Sequence, residues 1–204
     1  MLLDPIEQWI RSLGAIAGLA TLAYAIVRMF KSFRQPGGRE ERGARLALRP
    51  PLLLAATILF VWVGALLWSP LPMQAQSWLR VILLSVGVLL FFGGLALYLW
   101  GMRSLGRLFG PSSGFGVRLQ ATHRLVTTGP YAHVRHPMYL AVFAAAIGSL
   151  LLYRTWATLG FAIIMFGLVV RARREESLLA QEFGAEWEAY ASQVPPWLPR
   201  LSRR

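Results

Sequence analysis

Five apolar stretches, each close to the thickness of a lipid bilayer, constrain the fold of this 204-residue chain more than any other feature. A helix needs roughly 20 mostly apolar residues to cross a membrane. The last two stretches are shorter and predict a tight hairpin that turns at Arg154, one half of which could be tilted or re-entrant. The sequence therefore predicts an all-α integral membrane protein with about five transmembrane helices, over residues 13–30, 52–68, 81–100, 138–153 and 155–170.

The composition favours a single membrane domain. Hydrophobic residues make up 56% of the chain, which exceeds what the core of a soluble domain of this size requires. We expect residues 1–100 to form three N-terminal spans and residues 101–204 to hold the other two spans and the candidate functional residues. The chain has no cysteine, which excludes disulfides, thiolate catalysis and cysteine metal ligands. No metal site is predicted.

Basic residues orient the predicted helices. Eighteen of the 21 lysines and arginines lie at the end of the first stretch or after the first, third or fifth stretch, whereas Arg11, Arg80 and Arg154 fall on the opposite side. The positive-inside rule then predicts that the N-terminus is outside and the C-terminus is in the cytoplasm. The arginine-rich, lysine-poor composition suggests a prokaryotic cytoplasmic (inner) membrane. The basic residues that give the net charge of +12 flank the apolar stretches. We therefore attribute them to membrane topology and to contact with anionic membrane lipid, not to nucleic-acid binding.

Two predicted cytoplasmic segments, residues 101–136 and 171–204, are too long to be simple connectors. The second begins as an amphipathic helix, in which Leu179, Phe183 and Trp187 recur every four residues. Three prolines from residue 195 onward end this helix. A helix of this kind could lie on the membrane surface or form the lid of a site.

The start of the fourth stretch is the first candidate site. Pro137 suits the first position of a helix and moves His136 toward extended geometry. The free N–H groups at that helix start would then lie at the membrane surface beside His136 and Arg135, an arrangement that binds anions. A capped helix with a snorkelling arginine has the same pattern, so the residues alone leave both interpretations open.

The second candidate site lies just past the fifth stretch. Arg171 and Glu175 are four residues apart and therefore share one helix face, and Glu176 follows directly. The simplest interpretation is a surface ion pair worth roughly 0.3–0.5 kcal/mol. However, carboxylates at the mouth of a membrane bundle are costly unless they are paired or functional. A binding role is the alternative.

Four motifs follow one another in the second half of the chain. They are Leu-Val-Thr-Thr-Gly-Pro-Tyr (125–131), Arg-His-Pro-Met-Tyr (135–139), Arg-x-x-x-Glu-Glu (171–176) and Phe-Gly-Ala-Glu-Trp-Glu-Ala-Tyr (183–190), followed by residues 194–199. In this order and spacing they resemble the isoprenylcysteine carboxyl methyltransferase and phospholipid methyltransferase group, over roughly residues 100–200. The resemblance implies a methyltransferase-like catalytic region, residues 101–204, in an integral-membrane enzyme that uses S-adenosylmethionine.

The resemblance also implies roles for individual residues. Arg171 would face the substrate. By the chemistry of methyl transfer, a carboxylate acceptor needs no base, whereas an amine or thiol would have to lose a proton, with Glu176 or a histidine as the possible proton acceptor. The acceptor would be a lipophilic or small molecule. The cofactor pocket would be cytoplasmic, between the 101–137 loop and the C-terminal amphipathic helix. The residues implied to bind S-adenosylmethionine are His123, Arg124, Leu125, Val126, Tyr131, His136, Pro137, Met138, Tyr139 and Glu175.

Two other functions share part of the pattern. Membrane sterol-type reductases, which bind NADPH, resemble it in His-Pro-x-Tyr, an arginine-rich stretch and an aromatic-Gly pair. The adjacent Glu175–Glu176 pair and the Leu-Val-Thr-Thr-Gly-Pro-Tyr motif favour methyl transfer over reduction. A non-catalytic membrane protein is the third possibility, and it predicts that neither cofactor binds and that Glu175 is replaceable. Residues 1–100 match no substrate-binding pattern.

Overall fold

Helices account for most of the residues that the structure describes, so the predicted all-α membrane fold is confirmed. The structure is a computed structural model and describes residues 3–33, 37–40, 50–73, 76–109, 118–120 and 125–199. Within these ranges the helices are α1 (Leu3–Phe33), α2 (Pro50–Leu66), α3 (Ser77–Leu105), α4 (Pro137–Tyr153), α5 (Trp156–Met165), α6 (Gly167–Phe183) and α7 (Ala185–Gln193). The other elements are the 3₁₀ turns Gly106–Leu108 and Gly129–Ala132 and an antiparallel pair of short strands, β1 (Gly37–Glu40) and β2 (Arg118–Gln120).

Three stretches within the described residues are long and apolar enough to cross a membrane, namely Leu3–Met29, Ser77–Leu105 and Trp156–Phe183. Two further apolar helices, Leu54–Leu66 and Pro137–Tyr153, are shorter. With a rise of about 1.5 Å per residue, the 17 residues of α4 extend about 25 Å. That is somewhat less than the hydrocarbon core of a bilayer. The total of five spans therefore stays a prediction.

The C-terminal helices differ from the predicted pattern. After one break at Phe166, the helix continues from α5 through α6 to Phe183, well beyond the predicted end of the fifth stretch at residue 170. The predicted amphipathic helix contains Leu179 and Phe183, but its predicted continuation to Trp187 is wrong. Gly184 adopts φ +49°, a conformation that glycine tolerates because it lacks a Cβ, and Trp187 lies on the separate helix α7.

The antiparallel pair of α3 and α4 is the most extensive helix contact. A Cβ atom added at Gly94 would lie 2.7 Å from the backbone of Ala141, and one added at Gly148 would collide with the backbone of Phe91. Close approach of backbones at small residues is how membrane helices gain van der Waals contact. The small residues of these spans thus set the distance between α3 and α4.

Contacts near the helix termini define two ends of the bundle. At one end α4 begins, and Arg28 of α1 donates a hydrogen bond to a carbonyl just after α3. At the other end Glu7 of α1, Arg80 of α3 and Arg154 after α4 meet. We call these the His136 end and the Glu7 end. The apolar helices alternate in direction between them, as the sequence predicted.

Candidate functional site

The chain after α7 lies against the start of α4. The backbone N–H of Arg135 donates to the carbonyl of Pro195 over 2.9 Å, and that of His136 donates to Pro196 over 3.1 Å. His136 has φ −120° and ψ 56° and is the N-cap of α4, with Pro137 at the first helical position. Pro137 thus keeps His136 out of the helix as predicted, and the proline-rich segment holds this turn from outside.

His136 and Glu176 form the first contact of the site. The imidazole Nε2 lies 2.8 Å from Glu176 Oε1, and the histidine side chain is only 5% exposed. The imidazole ring stacks on Tyr139 with centroids 5.5 Å apart and an interplanar angle of 11°. Arg135 Nε lies 3.3 Å from the same glutamate oxygen, and its guanidinium lies over the Trp187 ring. Glu176 therefore connects α6 to the N-terminus of α4.

Tyr139 forms the second contact, because its hydroxyl connects Arg171 to Glu175. Arg171 Nε donates to the Tyr139 hydroxyl over 2.6 Å, and that hydroxyl donates to Glu175 Oε2 over 2.7 Å. The arginine guanidinium also lies 5.7 Å from the centroid of the tyrosine ring. The sequence predicted that Arg171 and Glu175 share a helix face, but it did not predict that a residue of α4 lies between them.

Tyr131 and Met138 pack on the end of α3. A Cβ atom added at Gly101 would lie 2.7 Å from Met138 Cγ and 3.8 Å from the Tyr131 hydroxyl. The Tyr190 hydroxyl of α7 donates to the Tyr131 carbonyl over 2.7 Å. Burial, with the nearby Glu175 carboxylate second, raises the pKa of Tyr131 well above its usual value. The Tyr131 hydroxyl therefore stays protonated and remains a donor at neutral pH.

The structure brings most of the predicted site residues into one region. Leu125 and Val126 are partly exposed and lead into the turn that holds Tyr131. His123 and Arg124 lie outside the described residues, as do residues 110–117 of the predicted pocket loop. The predicted pocket between this loop and the C-terminal helices therefore stays a prediction. The residues that lie together are Tyr131, His136, Pro137, Met138, Tyr139, Arg171, Glu175 and Glu176.

Sequence reasoning missed the aromatic side chains beside His136. The Trp197 ring lies 5.4 Å from that of His136 and 5.8 Å from that of Phe143, and Phe143 lies 5.7 Å from Phe166. Phe166 is 67% exposed on the outer surface of the bundle. A row of aromatic rings therefore leads from the site to the membrane-facing surface. The aromatic residue after the Pro195–Pro196 pair was the available sequence signal.

The charges at this site balance. The two guanidinium groups of Arg135 and Arg171 face the two carboxylates of Glu175 and Glu176, so these four groups sum to zero. Each carboxylate has about four acceptor positions, and the interactions described above leave several of them for a ligand. Arg135 Nε is buried and, within the described part of the chain, has no hydrogen-bond partner. The site thus offers both acceptors and donors, which suits a ligand that carries an ammonium and a carboxylate.

Comparison with known proteins identifies a family. A model of the phospholipid methyltransferase family matches residues 82–186, just over half of the chain. A protein-S-isoprenylcysteine O-methyltransferase of Schizosaccharomyces pombe is 38% identical over 81 residues, which are 39% of this chain and 34% of that protein. Its counterpart in Saccharomyces cerevisiae is 31% identical over 144 residues, 70% of this chain and 59% of that protein.

Another relative is named for metal resistance and not for methyl transfer. The nickel-cobalt-cadmium resistance protein NccN of Alcaligenes xylosoxydans xylosoxydans is 31% identical over 129 residues, which are 62% of this chain and 54% of that protein. The chain thus spans about half of this relative and about a third of the fission yeast enzyme. Among the residues that the structure describes, no group of three or more His, Asp or Glu side chains is arranged to hold a metal ion. The segment that matches the family model contains His136, Tyr139, Arg171, Glu175 and Glu176.

Proposed function

We propose that this chain, which belongs to the phospholipid methyltransferase family, is an integral-membrane methyltransferase that uses S-adenosylmethionine. The observation that carries the proposal is the pair of contacts around the start of α4, His136 with Glu176 and Tyr139 with both Glu175 and Arg171. These groups come from two helices, and all lie inside the segment that matches the family. The acceptor is a lipophilic or small molecule with a carboxylate, amine or thiol group.

The donor set fits S-adenosylmethionine. Glu175 accepts a hydrogen bond from Tyr139 and keeps acceptor capacity for the ammonium or the ribose hydroxyls. Pro137 has no N–H, and Leu140 donates to the His136 carbonyl. The N–H groups of Met138 and Tyr139 have no carbonyl partner within the helix and favour an anion such as the cofactor carboxylate. The buried Arg135 Nε, which lies 3.3 Å from Glu176 Oε1 without forming a hydrogen bond to it, is a further donor. Tyr131 and Met138 provide a less polar wall at the end of α3.

The cofactor, when bound, supplies an electrophilic methyl group on a sulfonium. The residues of the chain then have to align the acceptor and keep water out, and such alignment can account for a large part of the rate. Arg171 is placed to hold a carboxylate acceptor through a charge-assisted hydrogen bond. For an amine or thiol acceptor Glu176 would take the proton, although it would have to give up part of its contact with His136 and Arg135 to do so.

The position of the site favours a lipophilic acceptor. The contacts lie where the apolar α4 begins, and the ring row of Trp197, Phe143 and Phe166 extends from His136 to the membrane-facing surface. An apolar molecule dissolved in the bilayer can approach along such a surface without crossing water. The reductase alternative, by contrast, receives no support from the relatives named above.

Ligand-induced stabilisation tests the proposal. A ligand that binds only the folded protein raises its stability, by about 2.7 kcal/mol at a concentration one hundred times the Kd. The detergent-solubilised chain is heated with S-adenosylmethionine, with NADPH and with neither, and we expect a higher midpoint only with S-adenosylmethionine. Radiolabelled cofactor and host lipid or small-molecule extracts then identify the acceptor. Stabilisation by NADPH alone would favour the reductase, and stabilisation by neither cofactor would favour a non-catalytic protein.

A further inference from the structure

The Glu7 end of the bundle contains a second cluster of charged groups. Arg80 Nη2 lies 2.5 Å from Glu7 Oε2 and 2.7 Å from Asp4 Oδ1. Arg11 lies 3.3 Å from Glu7 Oε1, and Arg154 contacts the same oxygen. Arg11, Arg80 and Arg154 are also the three basic residues that the sequence separated from the other eighteen. These five groups form what we call the arginine cluster.

The arginine cluster has more positive than negative charge. Three guanidiniums face two carboxylates, which leaves a net charge of one positive unit. Glu7 is 5% exposed, whereas the side chains of Arg11 and Arg80 are 35% and 30% exposed. These arginines line a polar cavity of about 330 Å³ together with Tyr153. Arg11 also donates to the Leu152 carbonyl and so fastens α1 to α4, but two arginines would be enough to balance the two carboxylates.

An apolar cleft adjoins this polar cavity. It has a volume of about 580 Å³ and lies between α1, α2, α3 and α5, with aromatic walls that include Phe60, Trp68 and Phe91. Glycines at 18, 64 and 160 leave room along it. Tyr153 lines both spaces, and its hydroxyl donates to the Arg11 carbonyl over 2.8 Å. A polar, positively charged cavity and an apolar cleft therefore lie on either side of one shared side chain, that of Tyr153.

We propose that the arginine cluster and the adjoining cleft bind one anionic phospholipid, with the phosphate on the arginines and an acyl chain in the cleft. Arginine guanidiniums match phosphate oxygens in geometry and charge. Basic pockets between membrane helices on the cytoplasmic side bind anionic head groups, and the same contacts are open to a phospholipid of the outer leaflet at the Glu7 end. The cleft volume falls in the usual range of ligand pockets. The excess positive charge selects an anionic lipid over a neutral one.

This lipid is distinct from the methyl acceptor. The cluster lies at the C-terminal end of α4, and the His136 contacts lie at its N-terminal end, about 25 Å away for a helix of 17 residues. A head group at Arg154 is therefore out of reach of any methyl transfer at His136. The lipid holds α1, α3 and the α4–α5 turn together at the Glu7 end, and its binding does not depend on the function proposed above.

Lipid titrations of the detergent-solubilised full chain test this site, with the midpoint of thermal unfolding as the readout and no cofactor present. The probes are dioleoylphosphatidylglycerol, dioleoylphosphatidylcholine and glycerol 3-phosphate. We expect saturable stabilisation by phosphatidylglycerol, about fivefold to tenfold tighter than by phosphatidylcholine, as one excess charge predicts. Glycerol 3-phosphate, which has no acyl chain, should not stabilise at the same concentrations.

Two variants separate the head group from the acyl chain. Gly160→Leu fills the cleft, where an added Cβ meets no atom within 4 Å, and should abolish the saturable effect. Gly93→Leu is the matched control, since its Cβ also meets open space but does not line the cleft. Arg11→Gln keeps a donor for the Leu152 carbonyl and should remove only the preference for the anionic lipid, unlike Arg173→Gln on the exposed surface of α6.

Each other outcome overturns the proposal. Equal effects of both lipids would mean that charge plays no part. Stabilisation by glycerol 3-phosphate alone would indicate a small-anion site. Absence of any saturable effect in the unsubstituted chain, or its full retention in Gly160→Leu, would leave the arginine cluster as an internal clamp. If Arg11→Gln fails to fold, the comparison of Gly160→Leu with Gly93→Leu still decides the question.

Discussion

The two ends of the bundle contain the same kinds of side chain in opposite arrangements. At the Glu7 end one buried carboxylate contacts three arginines directly, and positive charge is in excess. At the His136 end Glu175 is bonded to the Tyr139 hydroxyl, and Glu176 contacts the His136 imidazole and only one guanidinium, that of Arg135. A directly paired carboxylate stabilises the fold, whereas one that is bridged by a hydroxyl keeps part of its charge for a ligand. The comparison assigns a structural role to the Glu7 carboxylate, beside the lipid site proposed at that end, and a role in cofactor binding to the carboxylates of the His136 end.

Cysteine labelling of the two ends should give an all-or-none result, because each end faces one side of the membrane. The eighteen-to-three division of basic residues predicts that the His136 end faces the cytoplasm. Because the chain has no cysteine, Met73→Cys at the Glu7 end and Thr127→Cys at the His136 end can be labelled without background, and both positions are exposed. An impermeant thiol reagent added to intact cells should label only Met73→Cys. The reverse pattern would place the predicted cofactor site outside the cell.

Removal of Glu7 should cost more stability than any other single carboxylate. Glu7→Gln leaves three arginines without their shared partner, and breaking a buried ion pair typically costs about 3–5 kcal/mol. Glu175→Gln, at the other end, should lower the unfolding free energy far less, because it removes one bond to a neutral hydroxyl. Denaturant unfolding of both variants measures the contrast. Equal losses of unfolding free energy would mean that Glu7 has no greater structural role than Glu175.

The contact of α3 with α4, which joins the two ends, should tolerate no added methyl group at its closest point. Gly148→Ala places a Cβ against the Phe91 backbone, and overpacking of this kind costs about 1–3 kcal/mol. Gly93→Ala, on the open side of α3, should instead stabilise by up to about 1 kcal/mol through helix propensity. Thermal unfolding of the pair checks the sign. A stable Gly148→Ala variant would mean that the helices are farther apart than described.

Tyr139→Phe should have the smallest effect on stability and should still be informative. It removes the hydroxyl between Arg171 and Glu175, and a net loss of about 1 kcal/mol is typical for one hydrogen bond. The ring remains to stack on His136. If the bridge orients Glu175, binding of S-adenosylmethionine should weaken severalfold while the unfolding midpoint changes little. Unchanged binding in calorimetry would show that Glu175 needs no positioning by Tyr139.

Local sequence patterns predicted the helices better than the contacts between them. Apolar length indicated α1 and α3, and Pro137 indicated the start of α4, because these depend on neighbouring residues. The breaks at Phe166 and Gly184 were missed, since apolar periodicity continues across both.

The contacts at both ends join distant parts of the chain. Glu7 contacts Arg154 across 147 positions, and His136 contacts Glu176 across 40. No helical periodicity encodes such pairs. The sequence identified Arg11, Arg80 and Arg154 as exceptions to the positive-inside pattern, but it gave no sign that Glu7 brings them together.

Cofactor binding to Glu175→Gln and Arg171→Ala, measured by titration calorimetry with S-adenosylmethionine, tests the central claim most directly. Glu175→Gln keeps the shape but loses a charge-assisted hydrogen bond worth roughly 1.5–3 kcal/mol, so the Kd should rise about tenfold to one-hundredfold. Arg171→Ala should leave the Kd nearly unchanged and lower turnover, and Glu186→Gln on the exposed surface of α7 is the matched control. Equal and negligible changes in both variants would contradict the account, because Arg171 and Glu175 would then be no more than partners of Tyr139.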